Sequence, residues 1–179
     1  MKLIRAAAVA VGLLLGTGLA HAGDPQNMVV MELASGKVTI ELRPDLAPLH
    51  VERMKQLIAE KFYDGIVFHR VIPEFMAQTG DPTGTGSGGS SYPDLKAEFT
   101  QEPFVRGTLG AARTADPDSA NSQFFICFTD TGCGHLAGQY TVFGKVIDGM
   151  ELIDAVKPGE GDGGMVSDPD KIVSMSMMQ

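Results

Sequence analysis

Eight short runs with strand-like alternation constrain this chain more than any other feature. They are Val29–Leu33, Val38–Leu42, Val67–Ile72, Phe75–Gln78, Thr108–Ala112, Gln123–Phe128, Thr141–Val146 and Ile172–Met177. The first two are joined by Ala34-Ser35-Gly36-Lys37, a hairpin signal. Helical spacing is confined to two segments. Val51, Met54, Leu57 and Ile58 predict an amphipathic helix over about His50–Glu60, closed by Tyr63-Asp64-Gly65. Met150–Val156 predicts a second, shorter helix. Many short strands with two helices predict a mainly β protein, a closed barrel with helical caps.

The run Phe68-His69-Arg70-Val71-Ile72-Pro73-Glu74-Phe75-Met76-Ala77-Gln78-Thr79-Gly80-Asp81 places chemistry on that scaffold. Alternation sets Arg70 and Ile72, then Met76 and Gln78 beyond the Pro73-Glu74 turn, on definable faces of adjacent strands. A cation beside apolar walls with an amide nearby suits a small hydrophobic ligand with one polar handle. The same residues would equally suit a half-buried strand with Arg70 paired to a carboxylate.

A second block, Asn121-Ser122-Gln123-Phe124-Phe125-Ile126-Cys127-Phe128, follows Gly107-Thr108-Leu109-Gly110-Ala111-Ala112-Arg113 and precedes Val142-Phe143-Gly144-Lys145-Val146. In order and spacing, these blocks resemble the cyclophilin family of peptidyl-prolyl cis-trans isomerases, over roughly Met28–Met177. The stretch Ala111–Thr114 and Tyr140 resemble the bacterial secreted branch. The resemblance implies an eight-stranded antiparallel barrel with a helix over each open end. It also implies isomerase activity on X-Pro bonds of exported proteins, assisting their folding. Arg70 is then the catalytic donor, and Gln78 steadies it while holding the substrate backbone. Phe75, Met76, Phe125 and Leu136 form the proline pocket. Ala112, Arg113 and Gln123 line the groove, and the glycine-rich stretch containing Gly86 lies against it.

Three positions depart from the common pattern. Arg113 stands where eukaryotic members usually have Asn, His135 where many have Trp, and Tyr140 where many have His. An imidazole offers less apolar contact than an indole, so cyclosporin-type macrocycles are expected to bind weakly. His69 reads as structural, and His50, where a capping Thr would be expected, as a local detail.

The N-terminus reads as an export signal. Met1–Ala22 carries Lys2 and Arg5, a short apolar centre and Ala20-His21-Ala22. Cleavage after Ala22 would leave one domain, 23–179, in the periplasm, with no membrane span, as an expected monomer. Losing Lys2 and Arg5 takes the formal charge from −8 to −10, which argues against nucleic-acid binding. Such a compartment permits a disulfide between Cys127 and Cys133, the only cysteines. Cys127, however, reads as a buried apolar residue of its strand and Cys133 as part of a glycine-flanked loop, so free thiols are expected.

Gly84–Gly89 contains a formal Gly-x-Gly-x-x-Gly, but Ser90-Ser91-Tyr92-Pro93-Asp94 follows it rather than a helix, which excludes a dinucleotide site. The acidic, glycine-rich 158–170 reads as an exposed loop. No His or Cys pair has ligand spacing, and prolyl rotation needs neither metal nor cofactor. A hydrolase finds no Gly-x-Ser-x-Gly elbow. The alternative function is a module that binds proline segments with little turnover, for which Arg70 would be superfluous.

Overall fold

The computed structural model describes residues 24–178; the expected export signal, 1–22, lies outside them. Eight strands form one antiparallel sheet: β1 (Met28–Leu33), β2 (Gly36–Leu42), β3 (Arg70–Ile72), β4 (Met76–Thr79), β5 (Thr108–Ala111), β6 (Phe124–Cys127), β7 (Val142–Asp148) and β8 (Ile172–Met177). Their order is β3-β4-β6-β5-β7-β2-β1-β8. The sheet curls into a half-barrel, with register shifts where β1 meets β8, β2 meets β7 and β5 meets β7. Such irregularities add the local twist that curling needs. Residues 67–69, expected to open the third strand, do not join its ladder. Gly65 N donates to Ile172 O (2.8 Å), Phe68 N to Asp170 O (2.9 Å), and Ile172 N to Ile66 O (2.9 Å).

Two helices pack on the sheet, α1 (Pro48–Ala59) against β7 and β8, and α2 (Met150–Asp154) against β2. The periodic residues Val51, Met54, Leu57 and Ile58 are all buried. Helix α1 opens on a proline, which suits a position whose N–H is unpaired anyway. Its N-cap, Ala47, supplies no side-chain acceptor. Glu98 does so instead: its carboxylate accepts from Leu49 N and His50 N, both at 3.1 Å, and meets His50 Nδ1 at 2.6 Å. His50 is therefore part of a long-range cap. Burial pushes its pKa below the ordinary histidine value, and Glu98 pulls it partly back.

Both faces of the site-bearing strands are covered. On β6, Phe124 and Ile126 enter the main core with Tyr63, Phe68 and Phe143. Phe125 and Cys127 point the other way, into a smaller cluster with Met76, Phe104, Cys133, Leu136 and Val142. This corrects the expectation of free thiols. Cys127 and Cys133 form a disulfide with Cα atoms 6.1 Å apart, and both residues are fully buried. The loop after β6 is drawn back toward β4 when Thr129 Oγ1 donates to Glu74 O (3.0 Å). That return brings Cys133 beneath the face to which Cys127 points.

Candidate functional site

Register lays the site out as a row across four strands. Arg70 on β3 pairs with Gln78 on β4, Gln78 with Phe125 on β6, and Phe125 with Gly110 on β5. A strand or two apart, such partners project from the same face. A Cβ at Gly110 would overlap the rings of Phe125 and Phe104, so glycine there makes room for the aromatic floor. Phe104 stacks on Phe125 with centroids 5.8 Å apart, and Tyr140 meets Phe125 edge-on at 5.9 Å.

Above this row lies a cavity of about 110 Å³ lined by Arg70, Phe75, Met76, Gln78, Ala112, Arg113, Phe125, Leu136 and Tyr140. Nine of the expected site residues thus meet around one small pocket. A larger, more polar cavity of about 470 Å³ adjoins it, sharing Gln78, Ala112 and Arg113 and adding Gly86 and Gln123. His135 lines neither. It is exposed at the rim, its ring 5.6 Å from that of Phe75. Arg113 lines both cavities. Its guanidinium lies 4.3 Å from the Tyr140 centroid, donating to Gln139 O (2.8 Å from Nη2) and Thr114 O (2.8 Å).

A directed chain of amides orients Arg70. Gln123 Nε2 donates to the carbonyls of Gly86 (3.1 Å) and Gly88 (2.8 Å). Gln78 Nε2 donates to Gln123 Oε1 (2.9 Å), and Arg70 Nη1 to Gln78 Oε1 (3.2 Å). Carbonyls at one end can only accept and a guanidinium at the other can only donate, so both amide orientations follow from the network. Arg70 Nε donates separately to Gly163 O (2.9 Å).

Asp81, for which the sequence suggests no role, holds the glycine-rich wall. Its carboxylate accepts from Thr83 N (2.7 Å), Thr83 Oγ1 (2.8 Å), Gly86 N (2.6 Å) and Gly88 N (3.1 Å). Burial works to raise its pKa, but these bonds outweigh it and bring the carboxyl down to about 2. The amides that would cradle a phosphate are thus already turned onto a carboxylate of the chain itself. Asp81-Pro82-Thr83 is an Asx-turn signal that could have pointed there. The Gly163 carbonyl left no such trace, because backbone groups carry no residue signature.

His69, on the opposite face from Arg70, is buried with both ring nitrogens unpartnered. Burial lowers its pKa; Asp81 opposes that shift and Arg70 adds to it. Among the described residues, no cluster of His, Cys, Asp and Glu could hold a metal ion, and no helix is long and apolar enough to cross a membrane.

Comparison with known proteins places this arrangement. Residues 28–177 match the family described as cyclophilin type peptidyl-prolyl cis-trans isomerase. A probable peptidyl-prolyl cis-trans isomerase of Brucella suis is 52% identical over 185 residues, covering 96% of this chain and 93% of that protein. The Acinetobacter baylyi peptidyl-prolyl cis-trans isomerase is 38% identical over 165 residues, covering 85% of this chain and 81% of that one. Among solved structures, a Cryptosporidium parvum cyclophilin type isomerase, crystallised in the presence of the dipeptide ala-pro, superposes with a TM-score of 0.76. It is 29% identical and covers 85% of this chain and 99% of that one.

Proposed function

The chain belongs to the cyclophilin-type peptidyl-prolyl cis-trans isomerases, and from that premise we propose that it accelerates X-Pro rotation in exported proteins, with Arg70 as the catalytic donor. An X-Pro bond rotates slowly because amide resonance sets a barrier of roughly 18–20 kcal/mol. Catalysis requires only that the twisted state be held better than either planar one. In that state the prolyl nitrogen recovers a lone pair. A guanidinium aimed at it stabilises the twisted state selectively, while Phe75, Met76, Phe125 and Leu136 grip the ring.

The observation that carries this reading is the row Arg70–Gln78–Phe125 facing one pocket of about 110 Å³. Gln78 orients the arginine, Gln123 orients Gln78, and the 84–89 loop with Ala112 and Arg113 borders the path of the flanking peptide. A module that merely held proline segments would have no use for an oriented cation. Arg70→Ala should lower turnover on a proline peptide well over tenfold, more than about 1.4 kcal/mol, with the fold retained. A variant keeping over about a tenth of the wild-type rate would refute the role.

Export from the cytoplasm, cleavage after Ala22 and a periplasmic site of action complete the proposal, with the mature domain 23–179 acting as a monomer. A buried disulfide supports an oxidising compartment. Cell fractionation, with mass spectrometry of the mature N-terminus, tests this part. We read the curled sheet as a closed barrel, supported by the hydrogen bonds between 65–68 and 170–172.

A further inference from the structure

The glycine-rich segment 159–166 is exposed along most of its length, yet it is fastened to the strand that carries Arg70. Val71 N donates to Gly164 O (2.8 Å), Gly159 N to Val71 O (2.9 Å), and Val166 N to His69 O (3.0 Å). The segment turns back on itself where Gly164 N donates to Gly161 O (3.2 Å). Only glycine satisfies position 164. Its φ is +67°, and a Cβ would overlap the Ile72 side chain. The segment therefore lies along the free edge of β3, and the preceding carbonyl, Gly163 O, lands 2.9 Å from Arg70 Nε.

Arg70 is then held at two points, Nε by Gly163 O and Nη1 by Gln78 Oε1 (3.2 Å). Two bonds to different atoms of a planar group fix both its position and the direction of its plane. Both acceptors are neutral. Among the described residues Arg70 forms no salt bridge, although Glu160 and Asp162 lie on the same segment as Gly163. A carboxylate in either position would orient the guanidinium at the cost of offsetting its charge; a carbonyl and an amide orient it and leave the charge available. Nη2 has no protein partner among the described residues, and Arg70 lines the pocket.

We propose that the Gly163-Gly164 turn is a positioning element for catalysis: the Gly163 carbonyl fixes the Arg70 guanidinium so that its free edge addresses the prolyl nitrogen. This rests on the reading of Arg70 as the donor. Among the described residues none of 159–166 lines the pocket, so loss of the turn should act on turnover rather than on substrate binding.

The test compares Gly164→Ala, Arg70→Ala, the double variant, and the charge-removing pair Glu160→Gln/Asp162→Asn, with kcat and KM measured on one proline peptide. Gly164→Ala should lower kcat about tenfold with KM changed less than about twofold, because a donor displaced by about an ångström loses its alignment. In the Arg70→Ala background the same substitution should change nothing, since there is no guanidinium left to orient. The charge-removing pair should keep the wild-type rate. An equal loss in both backgrounds would mean general damage and overturn the proposal, and so would a loss from the charge-removing pair. Arg70→Ala with wild-type turnover would remove the donor assignment and the proposal together. A crippled Arg70→Ala beside a normal Gly164→Ala would remove the proposal alone. Should Gly164→Ala fail to fold, solvent exchange of the Arg70 Nε–H in the wild type decides by NMR. Protection is expected, and exchange as fast as that of a free guanidinium would overturn the contact.

Discussion

Replacing Asp81 by Asn should be among the most damaging single-atom exchanges in this protein, and its size follows from the loop it holds. The carboxylate is fully buried and accepts four hydrogen bonds within 3.1 Å, three of them from backbone amides. Its pKa of about 2, against an ordinary 3.8, corresponds to about 2.5 kcal/mol of folding stability at neutral pH. Asparagine loses that charge. Whichever way its amide turns, its NH2 faces either the Thr83 donors or the Gly86 and Gly88 amides, adding about 1–3 kcal/mol. Chemical denaturation at pH 7 should show a loss of about 3.5–5.5 kcal/mol. Because the folded-state pKa is depressed, this stabilisation is complete above about pH 4 and is lost as the pH falls toward 2. Turnover should fall as well, since the Gly86 and Gly88 carbonyls anchor Gln123 and, through it, Gln78 and Arg70. A loss below about 1 kcal/mol would refute the account, showing that the loop keeps its form without the charge.

Phe125→Ala should cost about 3–5 kcal/mol and most of the activity together, because its ring is both pocket floor and a member of the second cluster; a variant of normal stability would refute the shared role. His50 and His69 are buried with pKa values pushed below 6.5. Unfolding lets them take up protons, so stability should be full above about pH 6.5 and decline as the pH falls through their depressed folded values; equal denaturation midpoints at pH 7 and pH 5.5 would refute this. His135 sits exposed at the rim against Phe75, and His135→Trp should tighten a cyclosporin-type macrocycle by about tenfold to a hundredfold, roughly 1–3 kcal/mol. Titration of both proteins in one assay checks this, and no gain would place control of that ligand elsewhere in the groove.

Strand alternation is a local property, so Arg70 and Gln78 could be set on countable faces from their own short runs, while Phe125 and the roles of all three came from the family resemblance. What joins the runs was less visible. Glu98 reaches back 48 residues to cap α1, and Gly163 meets Arg70 across 93 residues through a carbonyl that any residue type possesses. The disulfide was misjudged for a related reason. The apolar strand context of Cys127 was read correctly, but the second face of that strand is itself buried, and the returning loop places Cys133 there. The 158–170 loop is exposed as expected, and its composition gives no hint that its backbone completes the edge of β3.

The borrowed cap on α1 ties the order of events in folding to the order of synthesis. Residues 48–59 form a single short helix with no acceptor of its own at the N-terminus and no acidic residue in its first turn, so in isolation it would hardly persist. Glu98 leaves the ribosome 48 residues after His50, about 2–10 seconds later at ordinary elongation rates. Helix formation itself takes about a microsecond. The first third of the chain therefore waits, uncommitted, for a residue from its middle. The domain condenses as one unit rather than from its leading end, and during that interval the chain stays open to assistance or degradation.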